Sequence, residues 1–160
     1  MKLLIFSDSH GNIFTMREAL NRNRDADYAI HAGDGAPDFI ALMHEFPNVT
    51  PVAVRGNCDF YANDIPLEAE LNIDGVSVLI THGHKYGVKS SLLTLASEAY
   101  GRGTGLVIFG HTHEKCERYF PATDDRAPLY LFNPGTARAG DFGLADIRDG
   151  KILLSHGSAF

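Results

Sequence analysis

Apolar and polar residues in the first third of the chain fall into alternating short blocks. The run from Lys2 to Phe6 is almost wholly apolar and predicts a buried strand. After a polar loop, Ile13, Met16 and Leu20 recur at the spacing of one helix face. The same alternation continues, and it predicts strands over 2–6, 28–31 and 52–54 and helices over 13–24 and 37–46.

Beyond Pro66 the pattern changes to extended stretches joined by turn signals. Asp74-Gly75 and Asp149-Gly150 each separate two apolar stretches, and Asp-Gly is favoured in two-residue hairpin turns. The pattern predicts strands over 68–73, 76–80, 106–109, 115–120, 129–132, 142–147 and 152–154, and a helix over 90–100. A β-α-β-α-β half followed mostly by hairpins predicts an α/β (α+β) fold, with two mixed sheets packed together and helices outside.

Length and composition indicate one globular domain. The 160 residues show no linker, repeat or low-complexity tract, so residues 1–160 are expected to form a single domain. A net charge of -6 without a basic run argues against a nucleic-acid-binding or anionic membrane surface. No apolar stretch is long enough for a signal peptide or a membrane span, and Cys58 and Cys116 form no disulfide framework, which favours the cytoplasm. A homo-oligomer is the common default for such a chain.

Five predicted strands end directly in polar, glycine-containing loops. In open α/β sheets, binding sites form at the carboxyl ends of the strands, so these loops are expected to share one rim. The five loops are Ser7-Asp8-Ser9-His10-Gly11, His31-Ala32-Gly33-Asp34-Gly35, Arg55-Gly56-Asn57-Cys58-Asp59, Thr81-His82-Gly83-His84 and Gly110-His111-Thr112-His113.

The residue types in these loops are those of a transition-metal site. Imidazole suits zinc, manganese, iron and nickel, while carboxylates suit harder cations, so a mixed set of Asp, His and Asn indicates a divalent transition metal. The donors exceed what one ion needs and indicate two ions that share a carboxylate, as in two-metal hydrolytic sites. Two dications beside two carboxylates and a hydroxide keep a net positive charge of about one, which suits a phosphate group.

The order of these motifs resembles that of the calcineurin-like metallophosphoesterases. The five motifs of that superfamily are similar, in order, to Asp8-x-His10, Gly33-Asp34, Gly56-Asn57-Cys58-Asp59, His82-Gly83-His84 and Gly110-His111-x-His113. The resemblance is strongest to the small YfcE-like phosphodiesterase branch, which includes the retromer subunit of the vacuolar sorting type. Residues 133–136, Asn-Pro-Gly-Thr, resemble a late turn of that branch, so the resemblance spans residues 8–136.

The resemblance implies a four-layer αββα sandwich and a phosphodiesterase that hydrolyses a small phosphate ester. In it, a hydroxide bound to a dinuclear metal centre attacks phosphorus, and catalysis through the metals depends on Asp34, Asn57 and His82. The implied ligands are Asp8, His10 and His113 for the first metal, Asn57, His82 and His111 for the second, and Asp34 as the bridge. Manganese is the ion expected first, with nickel, zinc or iron as alternatives.

The proton donor to the leaving group stays open. Many larger members of the superfamily carry histidine where Cys58 stands, and a thiol with a pKa near about 8.5 is a poorer acid. The YfcE-like branch shares this cysteine, which favours esters with good leaving groups or a donor such as His84 or water. A substrate contact for Arg55 competes with a solvent-facing role, and Asp59 is expected to orient ligands.

Two functions compete on this sequence. The first is a metal-dependent phosphodiesterase, and the second is a non-catalytic metal-binding scaffold on the same fold, as the retromer relatives are thought to be. Relatives used as scaffolds tend to lose metal-binding histidines, whereas this chain keeps all the expected ligands, which favours the enzyme. The natural substrate is not specified, although residues 60–66 and 84–89 lie close enough to the motifs to contribute to specificity.

Overall fold

Ten strands and three helices make up the computed structural model, which describes residues 1–160. The strands are β1 Lys2–Phe6, β2 Tyr28–His31, β3 Thr50–Ala53, β4 Glu68–Ile73, β5 Val76–Thr81, β6 Leu106–Ile108, β7 Lys115–Phe120, β8 Leu129–Pro134, β9 Asp141–Arg148 and β10 Lys151–Ser158. The helices are α1 Ile13–Arg22, α2 Ala36–Leu42 and α3 Leu93–Arg102. Short 3-10 turns lie at Met43–Glu45, Asn57–Asp59, His84–Tyr86 and Ala137–Ala139.

The strands form two mixed five-stranded sheets. The first has the order β10-β9-β1-β2-β3. In it β1, β2 and β3 are parallel, β9 is antiparallel to β1, and β10 is antiparallel to β9. The second has the order β4-β5-β6-β8-β7, with β5, β6 and β8 parallel and an antiparallel strand at each edge. Because parallel strands end at the same side of a sheet, the loops after β1, β2, β5 and β6 are well placed to converge.

The alternation of side chains along β1 shows how the layers pack. Leu3 and Ile5 point into a core between the two sheets, whereas Leu4 and Phe6 point into a second core beneath α1 and α2. A third core lies between the second sheet and α3, around Phe109. Strands buried on both faces carry apolar residues at every buried position, which is why β1 is apolar from Leu3 to Phe6. The predicted four-layer αββα sandwich is confirmed.

The helices are short, and local chemistry sets their ends. The side chain of Asn12 accepts the N–H of Phe14 at 3.1 Å and so caps α1. Gly103 closes α3 in the left-handed region, with φ 69°. No helix of the structure is long and apolar enough to cross a bilayer.

Several predicted boundaries are corrected. The predicted helix 37–46 is α-helical only to Leu42, and its last part is a 3-10 turn. The predicted helix 90–100 begins later, at Leu93, and runs to Arg102. The second half contains more than hairpins, because α3 connects β5 to the parallel strand β6, and β8 adds a further parallel strand. Short apolar runs do not reveal whether their partner strand is parallel, so the sequence could not show this.

Candidate metal centre

The motif loops converge where the two sheets meet. The loops after β1 and β2 are joined by hydrogen bonds from Asp8 N–H to the Gly33 carbonyl at 2.9 Å and from His10 N–H to the Asp34 carbonyl at 3.1 Å. A link between the sheets runs from the His111 N–H to Asp8 Oδ2, at 3.0 Å. The expected common rim is therefore present, and it draws on both sheets.

One group of donors consists of Asp8, His10 and His113, whose ligand atoms all lie within 4.8 Å of one another. Asp8 Oδ1 lies 3.2 Å from His113 Nε2 and 3.9 Å from His10 Nε2. The two imidazole Nε2 atoms are 3.3 Å apart. Three donor atoms of the Asp and His types that converge in this way suit one divalent transition metal.

A second group consists of Asp34, His82 and His111, within the same distance limit of 4.8 Å. His82 Nε2 lies 3.3 Å from Asp34 Oδ2 and 3.2 Å from His111 Nδ1. The other nitrogen of His82, Nδ1, donates to the carbonyl of Ala32 at 2.7 Å. That bond fixes the orientation of the ring and points Nε2 toward the cluster, which is the arrangement of a metal-ligating histidine.

Asp34 lies between the two groups. Its Oδ2 is 3.3 Å from His82 Nε2 and 3.9 Å from His10 Nε2, so one carboxylate oxygen faces a donor of each group. Its Oδ1 accepts the backbone N–H of Cys58 at 2.8 Å. This carboxylate is therefore held by the backbone on one side and open to both groups on the other.

The Asp8 carboxylate has one oxygen that is suited to a bound cation. Its Oδ2 accepts the hydroxyl of Ser7 at 2.6 Å as well as the His111 N–H. Its Oδ1 is buried and has no hydrogen-bond partner. An unpaired buried carboxylate oxygen is costly, and it faces the imidazoles of His113 and His10 across the space a metal ion would fill.

The titration of the cluster reflects this crowding. Burial raises the pKa of Asp8, against the charges of His82 and His113, whereas hydrogen bonding to His82 holds the pKa of Asp34 below its usual range despite its burial. Burial lowers the pKa of His111 to about 4, with further lowering from the charges of His82 and Lys89. The lowered pKa of His111 keeps its nitrogen lone pair available, as ligation of a metal requires, whereas, despite burial, the pKa of His82 is raised by its hydrogen bond to Asp34.

The backbone at these ligands is in an unusual conformation. Non-glycine residues rarely adopt positive φ, because the side chain then crowds the backbone. Seven such residues occur here, two of them in the Asp-Gly hairpin turns at Asp74 and Asp149. The other five are all expected ligands: Asp8 (φ 53°), His10 (φ 44°), Asp34 (φ 60°), His111 (φ 70°) and His113 (φ 62°). Strain confined in this way to one cluster is typical of a functional site.

Two buried side chains outside the ligand set hold the loops in place. The Asp59 carboxylate accepts the N–H groups of Asp34 at 2.8 Å, Gly35 at 2.9 Å and Gly56 at 2.9 Å. The amide of Asn133, fully buried at the end of β8, donates to the Gly110 carbonyl at 3.0 Å. In the sequence, Asp59 and Asn133 are marked only by their places within motif segments. No sequence pattern shows which backbone groups their side chains reach.

Close packing explains two of the motif glycines. A Cβ at Gly110 would overlap Ser7 Oγ and lie 2.8 Å from Asp8 Oδ2. A Cβ at Gly33, where φ is 97°, would lie 2.6 Å from His82 Nδ1. Any larger residue at either position would push a ligand or its support out of place.

The remaining expected site residues lie at the edge of the cluster. Cys58 Sγ is within 4.8 Å of donor atoms of His10 and Asp34, and the side chain of Asn57 donates to Cys58 Sγ at 3.7 Å. The Cys58 thiol has its pKa raised by burial and by Asp34. Arg55 donates to the side chain of Asn63 at 2.8 Å, at the exposed surface.

Two further histidines differ in their freedom to act. The His84 ring lies 5.4 Å from that of His82, and its Nδ1 is buried without a partner. His31 is fully buried, and both of its nitrogens are engaged, with Ser9 Oγ at 3.0 Å and the Gly33 N–H at 3.1 Å. Burial lowers the pKa of His31 to about 3. His31 is thus a neutral support of the Gly33 loop, while His84 can still accept a contact.

Sequence comparison identifies relatives along nearly the whole chain. Residues 1–148 match the family described as the calcineurin-like phosphoesterase superfamily domain. A probable metallophosphoesterase of Bacillus subtilis (strain 168) is 37% identical over 140 residues, which make up 86% of this chain and 76% of the relative.

Solved structures share the fold at lower identity. A conserved protein of Streptococcus pneumoniae TIGR4, described as a predicted phosphoesterase, has a TM-score of 0.79 at 22% identity, covering 99% of this chain and 89% of that one. An archaeal phosphodiesterase has a TM-score of 0.68 at 24% identity, and the match covers 98% of this chain and 99% of that one. Vps29 of Entamoeba histolytica, in complex with zinc, has a TM-score of 0.72 at 16% identity and covers both chains in full, 100% of each.

Proposed function

The chain belongs to the calcineurin-like phosphoesterase superfamily, and from that premise we propose that it is a phosphodiesterase that works with two bound divalent metal ions. Metal-dependent action on phosphoesters follows from the family. Diester specificity, a dinuclear centre and the ligand assignment are the parts proposed here. Residues 1–160 are proposed to act as one domain, because the central core is built from strands of both sheets.

The proposed ligands follow the two donor groups. Asp8, His10 and His113 would hold the first ion, His82 and His111 the second, and Asp34 both. Asn57 lies outside these donor groups and is added to the second ion as the family resemblance implies. Bound there, the ions would supply positive charge for the phosphoryl oxygens and a water activated for attack on phosphorus. Manganese is the ion proposed first, with nickel, zinc or iron as alternatives.

The side chains of the chain itself have separate tasks in this proposal. Asp34 keeps its negative charge because its pKa is held low, and the backbone of Cys58 fixes its orientation. His82 is oriented by the Ala32 carbonyl, so its Nε2 needs no rearrangement before it binds. The ring of His84 lies 5.4 Å from that of His82, and His84 is the proposed contact for the departing oxygen of the ester.

The observation that carries the proposal is the unpartnered Oδ1 of Asp8. A protein that bound no metal at this site would have no need to keep this oxygen buried and without a partner. Around it, all the expected histidine and aspartate donors are present and convergent. The second candidate is a metal-binding scaffold, which the fold shared with zinc-containing Vps29 supports. The complete donor set favours catalysis over that candidate.

Metal analysis combined with a hydrolysis assay tests the proposal. The purified protein, stripped of metal and then supplied with manganese or nickel, is expected to hydrolyse bis(4-nitrophenyl) phosphate. About two ions per chain are expected in the active form. A folded protein that binds metal but that no dication activates would support the scaffold.

Two variants sharpen the test. His82→Ala and Asp34→Asn are each expected to abolish turnover and to lower the metal content, because each removes a donor from the cluster. His44→Ala is the matched control, since this histidine lies exposed in the 3-10 turn after α2. Circular dichroism should show that all three variants remain folded. Full activity of Asp34→Asn would contradict a bridging role for this carboxylate.

A further inference from the structure

A cavity of about 340 Å³ opens beside the candidate metal centre. Its floor is apolar and is formed by Val88, Leu92 and Phe109 together with Cys116 of β7. Val88 and Phe109 are buried, and Leu92 and Cys116 are half-buried. The volume is at the lower end of the range of about 300–1,000 Å³ for small-molecule sites, and it suits a group about the size of a substituted ring.

The walls of this cavity are continuous with the metal-binding loops. Thr112 lines it and lies between the proposed ligands His111 and His113. Val88 packs against Gly83, between His82 and His84, so closely that a Cβ at Gly83 would lie 2.9 Å from Val88 Cγ2. A ligand whose phosphate reached the metal centre would therefore direct an attached group into the cavity.

Charged groups surround the opening. Lys89, Lys115 and Glu114 all line it. Lys115 is paired with Asp141 at 2.9 Å, whereas Lys89 has no acidic partner and is exposed. Lys89 is therefore the one lysine at the opening that is free to pair with an acidic group of a ligand.

We propose that this cavity is the subsite for the organic group of the phosphate ester, and that it takes a flat, apolar group that carries an acidic substituent. The apolar floor would bury the ring, and Lys89 would pair with the acid. Lys89 is thus a specificity-determining residue of the site. The position of the phosphate in this inference rests on the proposed function.

Phosphonates test the subsite without turnover, because their carbon–phosphorus bond is not hydrolysed. Methylphosphonate, phenylphosphonate and carboxyphenylphosphonate would be titrated calorimetrically into the manganese-loaded protein. Phenylphosphonate is expected to bind about ten-fold more tightly than methylphosphonate, because its ring is buried. The carboxyl group is expected to add about three- to ten-fold, as a partly exposed ion pair does.

Each contribution is assigned by a variant of its own. Lys89→Met should abolish the increase in affinity that the carboxyl group gives and keep the increase that the ring gives. Lys89→Arg should restore the increase from the carboxyl group. Cys116→Leu narrows the cavity and should abolish the increase in affinity that the ring gives. Cys116→Ala leaves the cavity open and should keep that increase. Lys151→Met, at the start of β10, is the control for loss of an exposed lysine. It should change neither the affinity increase from the ring nor that from the carboxyl group.

The outcomes separate this inference from the proposed function. Equal affinity for all three phosphonates in a protein that hydrolyses diesters would overturn the subsite and leave the phosphodiesterase standing. The expected order of affinities in a protein that hydrolyses no ester would support the subsite and overturn the phosphodiesterase. A carboxyl preference that survives in Lys89→Met would overturn the assignment of Lys89.

Discussion

The carboxylate of Asp59 accepts the backbone N–H of Asp34 at 2.8 Å, so one buried side chain fixes the residue that faces both donor groups. The same carboxylate accepts the N–H of Gly56, next to Asn57. Two motif loops are thus tied together by a residue that is itself not among the expected ligands.

Asp59→Asn is expected to weaken metal binding about 10- to 100-fold, because an amide offers one accepting oxygen where the carboxylate offers two. Calorimetric titration with manganese measures the loss. Asp64→Asn, at an exposed position in the same segment, is the control and should bind as the wild type does. Unchanged affinity in Asp59→Asn would show that the backbone alone holds the loops.

The strained backbone at the ligands gives a prediction about stability. In the metal-free protein, His113→Gly is expected to be more stable than His113→Ala by about 1 kcal/mol, because glycine adopts a φ of 62° without strain. Urea unfolding in the presence of a chelator measures the difference.

The neighbouring position supplies the control for this strain. Glu114 is not among the residues with positive φ, so Glu114→Ala should be the more stable variant there, by about 0.4–1 kcal/mol over Glu114→Gly. If glycine were the less stable choice at both positions, the strain at His113 would be refuted.

Cys58 is expected to be dispensable for turnover. Its thiol keeps its proton, because burial and Asp34 raise its pKa, and its backbone N–H makes the contact to Asp34. Cys58→Ser should therefore retain activity within about three-fold, since a change of that size is under 1 kcal/mol in the barrier. Steady-state kinetics with an aryl phosphodiester measure this. Complete loss of activity would point to a thiol-dependent mechanism.

An ion-pair cluster between β4 and α3 predicts a dependence of stability on pH. Glu68 on β4 accepts the hydroxyl of Tyr86 and pairs with Arg102 of α3 at 2.9 Å. Burial alone would raise the pKa of Glu68, but these two contacts hold it below the ordinary value of 4.5. The stability that Glu68 contributes is therefore fully present above pH 4.5. It is lost as the pH falls through the pKa of Glu68 in the folded protein, which lies below 4.5.

Glu68→Gln should accordingly lower the free energy of unfolding by about 1 kcal/mol at neutral pH and by less at about pH 3. Urea unfolding at both pH values tests this. Glu18→Gln is the control, because its pair with Arg22 is at the surface at 3.5 Å and should contribute little at either pH. A deficit for Glu68→Gln that does not depend on pH would contradict the assigned pKa direction.

The sequence by itself predicted the element types and the candidate donors of the site. Apolar runs such as residues 2–6 and turns such as Asp74-Gly75 gave the strands and a hairpin, because a strand buried on both faces must be apolar throughout. The motif loops gave the donor residues, because metals accept few side-chain types and glycine marks close backbone approach.

Only the tertiary structure decided which strands pair and how the donors are held. The return of β9 to pair with β1, the hydrogen bonds of Asp59 and the unpartnered Oδ1 of Asp8 all depend on contacts between residues distant in sequence. The left-handed backbone at the ligands and the position of Lys89 beside the cavity also arise from packing. Periodicity reports which face of an element is buried, but not what lies against it, and for that reason these features could not be read from the chain alone.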